Sequence, residues 1–436
     1  MTFADITKTD GAGRSCRDDR IATAPADTFF RLFGVSVAVA YTAAHFYFTG
    51  IRQAVSNFYS DFLASFPSWA AAYTFGRMDM YRGSLSQDWA TRWGTYPVWH
   101  YGPLEHLITL PLLLAPDLHR AYLAWLWVNY FFLGAIAVLA VRLFSRTSHS
   151  AAILLLVVML NYNPLYEALT QRTIELFELL LVLVAFSLWK SGRTWKAGFV
   201  IGLAAMCKFL PCIFLPYFVL KRQWKALFGA LAAILTIVVD TELLLGWKHS
   251  GILIQLREGS FSRGELNQGL AAAVMQVADW LRIPAPLALT SRLAILIGMI
   301  GVCCLFFVAK DSCGTEDLEW GVLLVAMVIL PPHNEQYYLI FLLFAYFVML
   351  SRIQAGVRCE AHVPTSRFTV SAIILSFLLV GAPIPFSLLD RFTGMHVFPI
   401  YLRARMPFWG TCILGLMTAR ELLIAARRRE PEPVAS

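Results

Sequence analysis

The sequence predicts an all-α protein, a polytopic bundle of transmembrane helices with a long outer loop near its start. Three observations carry that prediction. Apolar residues make up 58% of the 436 and charged ones only 15%, where soluble domains hold about half and about a quarter. Mean hydropathy is +0.61. The apolar residues fall in many separate, continuous runs near the length of a bilayer helix, which excludes a single anchor, and they do not alternate, which excludes a transmembrane barrel.

Charge and cysteine usage narrow the class further. The net charge of +8 is spread as short basic clusters between apolar runs, the mark of cytoplasmic loops, so no nucleic-acid partner is expected. The eight cysteines (16, 207, 212, 303, 304, 313, 359, 412) lie mostly in or beside apolar runs. They show no metal-ligand spacing and read as buried free thiols.

Taken in order, residues 1–28 read as a disordered cytoplasmic tail, with Lys8, Arg14, Arg17 and Arg20 among acids and small residues. The first span is 30–47, and the positive-inside rule turns the following loop, 51–118, outward. The stretch 104–116 is apolar but short and bounded by prolines. The basic clusters (Arg142 and Arg146; Lys190, Arg193 and Lys196; Lys221, Arg222 and Lys225; Lys310; Arg352 and Arg358; Arg427 to Arg429) share one side only if it does not cross. Spans follow at 120–141, 150–162, 172–190, 197–207, 209–220, 224–246, 288–309, 319–331, 336–351, 368–386 and 399–425. This gives about twelve crossings with both ends inside, a transmembrane domain over 29–426 and a basic tail over 427–436. A second outer loop, 247–287, contains an amphipathic segment at 269–281 suited to the membrane surface.

Several of these spans are short. A dozen residues rise only about 18 Å, against about 30 Å of hydrocarbon. Three short pairs should therefore turn inside the outer leaflet and enclose a cavity. Their turns are the polar places: Asn161-Tyr162-Asn163-Pro164, Lys208-Phe209-Leu210-Pro211 and Pro331-Pro332-His333-Asn334-Glu335-Gln336.

Chemistry is sought in the first loop and at those turns. Asp61, flanked by Tyr59 and Phe62, is the candidate general base, since a carboxylate suits removal of a proton from a sugar hydroxyl. Asp79, Asp88 and Glu105 compete with it, and a solvated loop aspartate is the plainer reading. The loop holds no D-x-D pair, so no metal is called for. Lys208 stands between two apolar runs, where a charge is costly and its ammonium suits a phosphate; the plainer reading is a snorkelling lysine. Glu167, Gln171, Glu175 and Glu178 recur at helical spacing and predict one polar stripe along a helix over 164–190, with Arg172 as a partner. A structural seam between helices is the competing reading. His333, with Asn334 beside it, is freed by the two prolines to aim at a phosphate oxygen or a sugar hydroxyl.

In their order these marks resemble the GT-C superfamily of membrane glycosyltransferases, and within it glycosyltransferase family 87, the polyprenol-phosphate-mannose-dependent α-(1→2)-mannosyltransferases. The likeness runs over roughly the first 350 residues. It rests on Asp61 soon after the first span, Gly76 and Tyr81, the element Tyr96-Pro97 with Tyr101 and Pro103, and Asn163-Pro164 with Gln171. Lys208 and Pro211, the turn Lys221-Arg222-Gln223-Trp224 and the Pro-Pro-His-Asn stretch follow. The family usually has Gly before the Gln; here Thr170 stands there. The resemblance implies an inverting transfer from a β-linked polyprenyl-phosphate sugar, with Asp61 as base and Lys208, His333 and Asn334 by the lipid phosphate. Tyr59, Tyr96, Tyr101, Asn163, Glu167 and Gln171 then line the substrate pocket.

The expected activity is transfer of a hexose, mannose, to a lipid or glycan acceptor, without cofactor or obligatory metal. Its expected setting is the outer face of the bacterial inner membrane, as a monomer whose partners are donor, acceptor and membrane lipids. A secondary transporter or flippase is the rival reading. It fits the span number and the intramembrane charges, but the hydropathy shows no matching halves. An O-antigen-type polymerase or ligase is a third, though its large outer loop is expected late in the chain.

Overall fold

In a hydrocarbon medium the backbone polar groups of so apolar a chain are satisfied by helices. The computed structural model describes residues 25–56, 102–145, 149–245, 266–283, 287–308, 314–358, 366–384 and 386–427. Among them 86% are helical and none is in a strand. Four helical stretches are long and apolar enough to cross a membrane: His119–Phe144, Trp224–Leu243, Gln336–Ala355 and Met406–Arg427. A fifth is formed if His149–Leu160 and Asn163–Gln171, bent by 54° at their junction, count as one span.

In chain order, α1 is Pro25–His45, continued by a π-helical stretch Phe46–Gln53 and one turn to Ser56. It begins earlier than the expected span, inside the stretch read as tail. α2 (Pro103–Thr109) runs into a 3-10 turn, Leu110–Leu114; neither piece is long enough to cross a bilayer. α3 is Leu118–Phe144, opened by Asp117, whose carboxylate accepts from the Arg120 amide at 2.8 Å. Then come α4 (His149–Leu160), α5 (Asn163–Gln171), α6 (Glu175–Lys190), α7 (Thr194–Lys208), α8 (Phe214–Leu220) and α9 (Trp224–Leu245).

The later half holds α10 (Leu270–Trp280), α11 (Leu287–Val308), α12 (Glu316–Ile329), a 3-10 stretch Gln336–Phe341 leading into α13 (Leu342–Arg358), and α14 (Arg367–Val380). It closes with α15 (Phe386–Thr393), α16 (Val397–Arg403) and α17 (Met406–Arg427).

The single polar stripe expected over 164–190 is not continuous. Arg172 adopts a left-handed conformation, φ 52°, which ends α5, and α6 starts afresh at Glu175. Glu167 and Gln171 therefore go one way and Glu175 and Glu178 another. The expected span 399–425 is likewise broken, at Arg405 with φ 51°. The thiols are also less uniform than expected: Cys207 is buried and Cys304 exposed.

The core is aromatic. Trp320 of α12 packs on Phe214 of α8 (4.8 Å between ring centres) and Phe186 of α6 (5.2 Å), and Phe344 of α13 lies edge-on to Phe186 (4.9 Å) and to Phe144 of α3 (5.4 Å). Such pairs add specificity to apolar burial. Helices α7 and α9 pack closest, because Gly198 and Gly202 sit directly on the backbone of Ala226 and Ala230, where a Cβ would collide. One end of the bundle is tied by Glu319, 2% exposed, which meets Lys221 at 2.8 Å and accepts from the hydroxyls of Tyr217 (2.7 Å) and Thr315 (3.0 Å). The outward faces stay apolar, with Trp127, Phe131, Phe228, Leu235, Ile297 and Phe307 exposed, as surfaces that meet lipid are.

Candidate active site

Three breaks in helices meet in space. Between α4 and α5, Tyr162 is fully buried and its hydroxyl donates to the Leu339 carbonyl at 2.7 Å. That joins the first break to the stretch following the third. At the end of α7, Lys208 lies over the rings of Tyr337 (4.8 Å) and Tyr338 (4.4 Å), which joins the second break to the same stretch. All three polar turns singled out in the sequence thus converge, and the proline pair 331–332 is the reason the third can: it ends α12 and lets 331–335 run without helix.

Beside them is a cavity of about 580 Å³ lined by Gln53, Ser56, Glu167, Thr170, Gln171, Leu266, Glu335, Gln336, Tyr337 and Phe398. Its lining combines amides, hydroxyls and two carboxylates with the apolar or aromatic groups of Leu266, Tyr337 and Phe398. Hydrogen-bonding groups of this kind suit a polyol, and the apolar ones suit a hydrocarbon part. Segment 57–101 is bordered by Ser56 and Gly102. Its start follows Ser56, in the cavity wall, and the turns before it are fixed by Arg172, which donates from Nη2 to the Ala54 carbonyl, and by Tyr130, whose hydroxyl donates to the Gly50 carbonyl at 2.6 Å. Its end is pinned at Gly102, whose N–H donates to the Cys207 carbonyl, one residue before Lys208. Only glycine fits there, since a Cβ would strike the Met206 carbonyl.

The expected site residues fall into five groups. Glu167 and Gln171 line the cavity. His333 and Asn334 flank it: His333 Nε2 donates to Glu335 Oε1 at 2.8 Å, while His333 Nδ1 and both polar atoms of the Asn334 side chain are buried without a hydrogen-bond partner, groups of the kind a ligand satisfies. Lys208, its side chain 3% exposed, is paired with Glu175 behind the Tyr337 ring. Asn163 stands apart from the cavity wall, its N–H bonded to the Gly381 carbonyl at 2.8 Å. Asp61, Tyr59, Tyr96 and Tyr101 lie outside the described residues.

Glu335 was not singled out from the sequence, although its place two residues after His333 was the available signal. Burial pushes its carboxyl up; the hydrogen bond and charge of His333, a hydrogen bond from Tyr337 and the charge of Lys208 outweigh that and hold it below the ordinary value of 4.5. Phe398 and Leu266 reach the cavity from distant parts of the chain, and no local pattern marks them. Phe386 packs edge-on against Phe398, 5.0 Å between ring centres.

No curated protein matches the chain. The model of glycosyltransferase family 87 matches residues 99–332, more than half of the 436 residues, and takes in the first two breaks and the start of the third. With membrane-length apolar helices around a polar cavity, the chain is an integral membrane protein that belongs to glycosyltransferase family 87.

Proposed function

We propose that this glycosyltransferase moves a hexose, mannose, from a polyprenyl phosphate to a lipid or glycan acceptor at the outer face of the bacterial inner membrane, with inversion and without an obligatory metal or cofactor. The observation that carries the reading is the cavity: amides, hydroxyls and carboxylates fit for a sugar, Leu266 and Phe398 fit for an apolar chain, and Ser56, the residue before segment 57–101, in its wall.

Asp61 is the proposed base. It lies five residues beyond Ser56, and five residues of chain reach at most about 18 Å. Its carboxylate takes the proton of an acceptor hydroxyl as that oxygen bonds to the anomeric carbon; the bond from that carbon to the phosphate oxygen breaks, and polyprenyl phosphate leaves with the electron pair. His333 is placed to donate a hydrogen bond to the departing phosphate, while Lys208 lies over the Tyr337 ring with Glu175 offsetting its charge. Glu167, Gln171 and Gln336 hold sugar hydroxyls. The transporter reading has lost its ground, since the family is one of transferases.

The test is transfer by the purified protein in nanodiscs from polyprenyl-phosphate [³H]mannose to a membrane lipid extract. Label is expected in the extract. Transfer only from another polyprenyl-phosphate hexose changes the sugar, and no transfer from any lipid-linked donor overturns the reading.

A further inference from the structure

The turn 331–335, which carries His333 and Glu335 to the cavity, is neither helix nor strand, yet it is held by several hydrogen bonds. Its partner is the short stretch 266–269. Asn267, fully buried, accepts at Oδ1 from the amides of Gly269 and Asn334, both at 3.0 Å, and donates from Nδ2 to the Pro332 carbonyl at 2.7 Å. The Gln268 amide donates to the Asn334 carbonyl at 2.7 Å. One side chain thus grips the turn on both sides of His333.

Asn267 is held in its turn from the far end of the chain. Arg405, at the left-handed break between α16 and α17, donates from Nη1 to the Asn267 carbonyl and from Nε to Gln276 Oε1 at 2.7 Å, and Gln276 Nε2 donates to the Arg403 carbonyl at 2.8 Å. The order is α16–α17 corner, Asn267, turn, cavity. Buried networks of hydrogen bonds of this kind fix one geometry rather than several.

We propose that Asn267, backed by Arg405, is a positioning residue for the reaction: it does not touch substrate but sets where His333 and Glu335 stand at the cavity. This rests on the transfer reaction proposed for the cavity. Misplacing reacting groups by about 1 Å costs on the order of 100-fold, so Asn267→Ala is expected to lower kcat about 10- to 100-fold with KM within about twofold. Asn267→Asp keeps the acceptor for the Asn334 amide but sets an oxygen in place of the donor against the Pro332 carbonyl, and is expected to recover part of kcat. Arg405→Lys is expected to fall between wild type and Asn267→Ala.

Hydrogen–deuterium exchange of the peptide spanning 331–341 is measured on the same proteins and needs no donor. Asn267→Ala is expected to speed exchange at Asn334, with Asn267→Asp protected. Unchanged exchange in Asn267→Ala overturns the clamp, and so does a folded Asn267→Ala with wild-type kcat, or one whose loss lies in KM and is not rescued by Asp. A wild type that transfers nothing from any lipid-linked donor, with exchange behaving as expected, leaves the clamp in place and refutes the reaction it serves.

Discussion

Glu335 and Lys208 are both charged groups taken out of water, and altering them should have different consequences. Glu335 precedes the apolar stretch Gln336–Ala355 and is half-buried beside His333. A carboxyl held below its ordinary value of 4.5 in the folded protein contributes stability that is present above the unfolded pKa and is lost as pH falls through the folded one. The thermal midpoint of the wild type is therefore expected to drop as pH is lowered past about 4.5. Glu335→Gln should be less stable than wild type near neutrality and flatter over that acid range. Equal slopes for the two proteins would mean that Glu335 does not set this dependence. Lys208 is a different case, because its side chain and that of Glu175 are 3% and 0% exposed. Lys208→Met leaves a buried carboxylate without its cation and is expected to cost about 3–5 kcal/mol, whereas Lys208→Met with Glu175→Leu should recover most of it. Unfolding in detergent measures both; a double variant no better than the single one contradicts the pairing.

At the scale of elements, what could be read in advance depended on whether the signal was local. The apolar runs marked most helices within a few residues, and the prolines at 164, 211 and 331–332 marked the three breaks. Arg172 was invisible in this respect. Nothing in Thr170-Gln171-Arg172-Thr173 announces a left-handed residue, which is held by its bond to Ala54 and by the Tyr122 ring 3.0 Å beneath its guanidinium, so helical spacing alone made one stripe of what are two helices. The tie at Glu319 is also tertiary: it joins α8 and α12 through Tyr217 and Lys221. Glu319→Ala removes the acceptor from three donors at once, Lys221 among them, and about 3–5 kcal/mol of stability should go with it. Transfer activity at a temperature where the variant is folded should remain near wild type, because the tie lies away from the cavity. A variant as stable as wild type would mean that the Lys221–Glu319 contact contributes nothing.

The whole molecule brings together parts that no sequence window holds. Gln53 and Ser56 come from the end of the first helix, Glu167 and Gln171 from α5, Glu335 to Tyr337 from the third break and Phe398 from α16. Of the polar members Glu167 and Gln171 were legible, because they recur at helical spacing in an apolar run; Gln53, Ser56 and Glu335 were not singled out, and Phe398 and Leu266 could not be, because one more apolar residue in such a chain carries no mark. The family match covers 99–332, so both Asp61 and Arg405 lie beyond it, and the proposed mechanism draws on residues from either side of the matched part. The most direct measurement is therefore transfer of labelled mannose from its polyprenyl phosphate by wild type and by Asp61→Asn, with donor binding measured on both. Transfer by the wild type is expected, and in Asp61→Asn a loss of at least about 100-fold with donor still bound. An Asp61→Asn protein as active as wild type would contradict the proposed mechanism and pass the base to Asp79, Asp88 or Glu105.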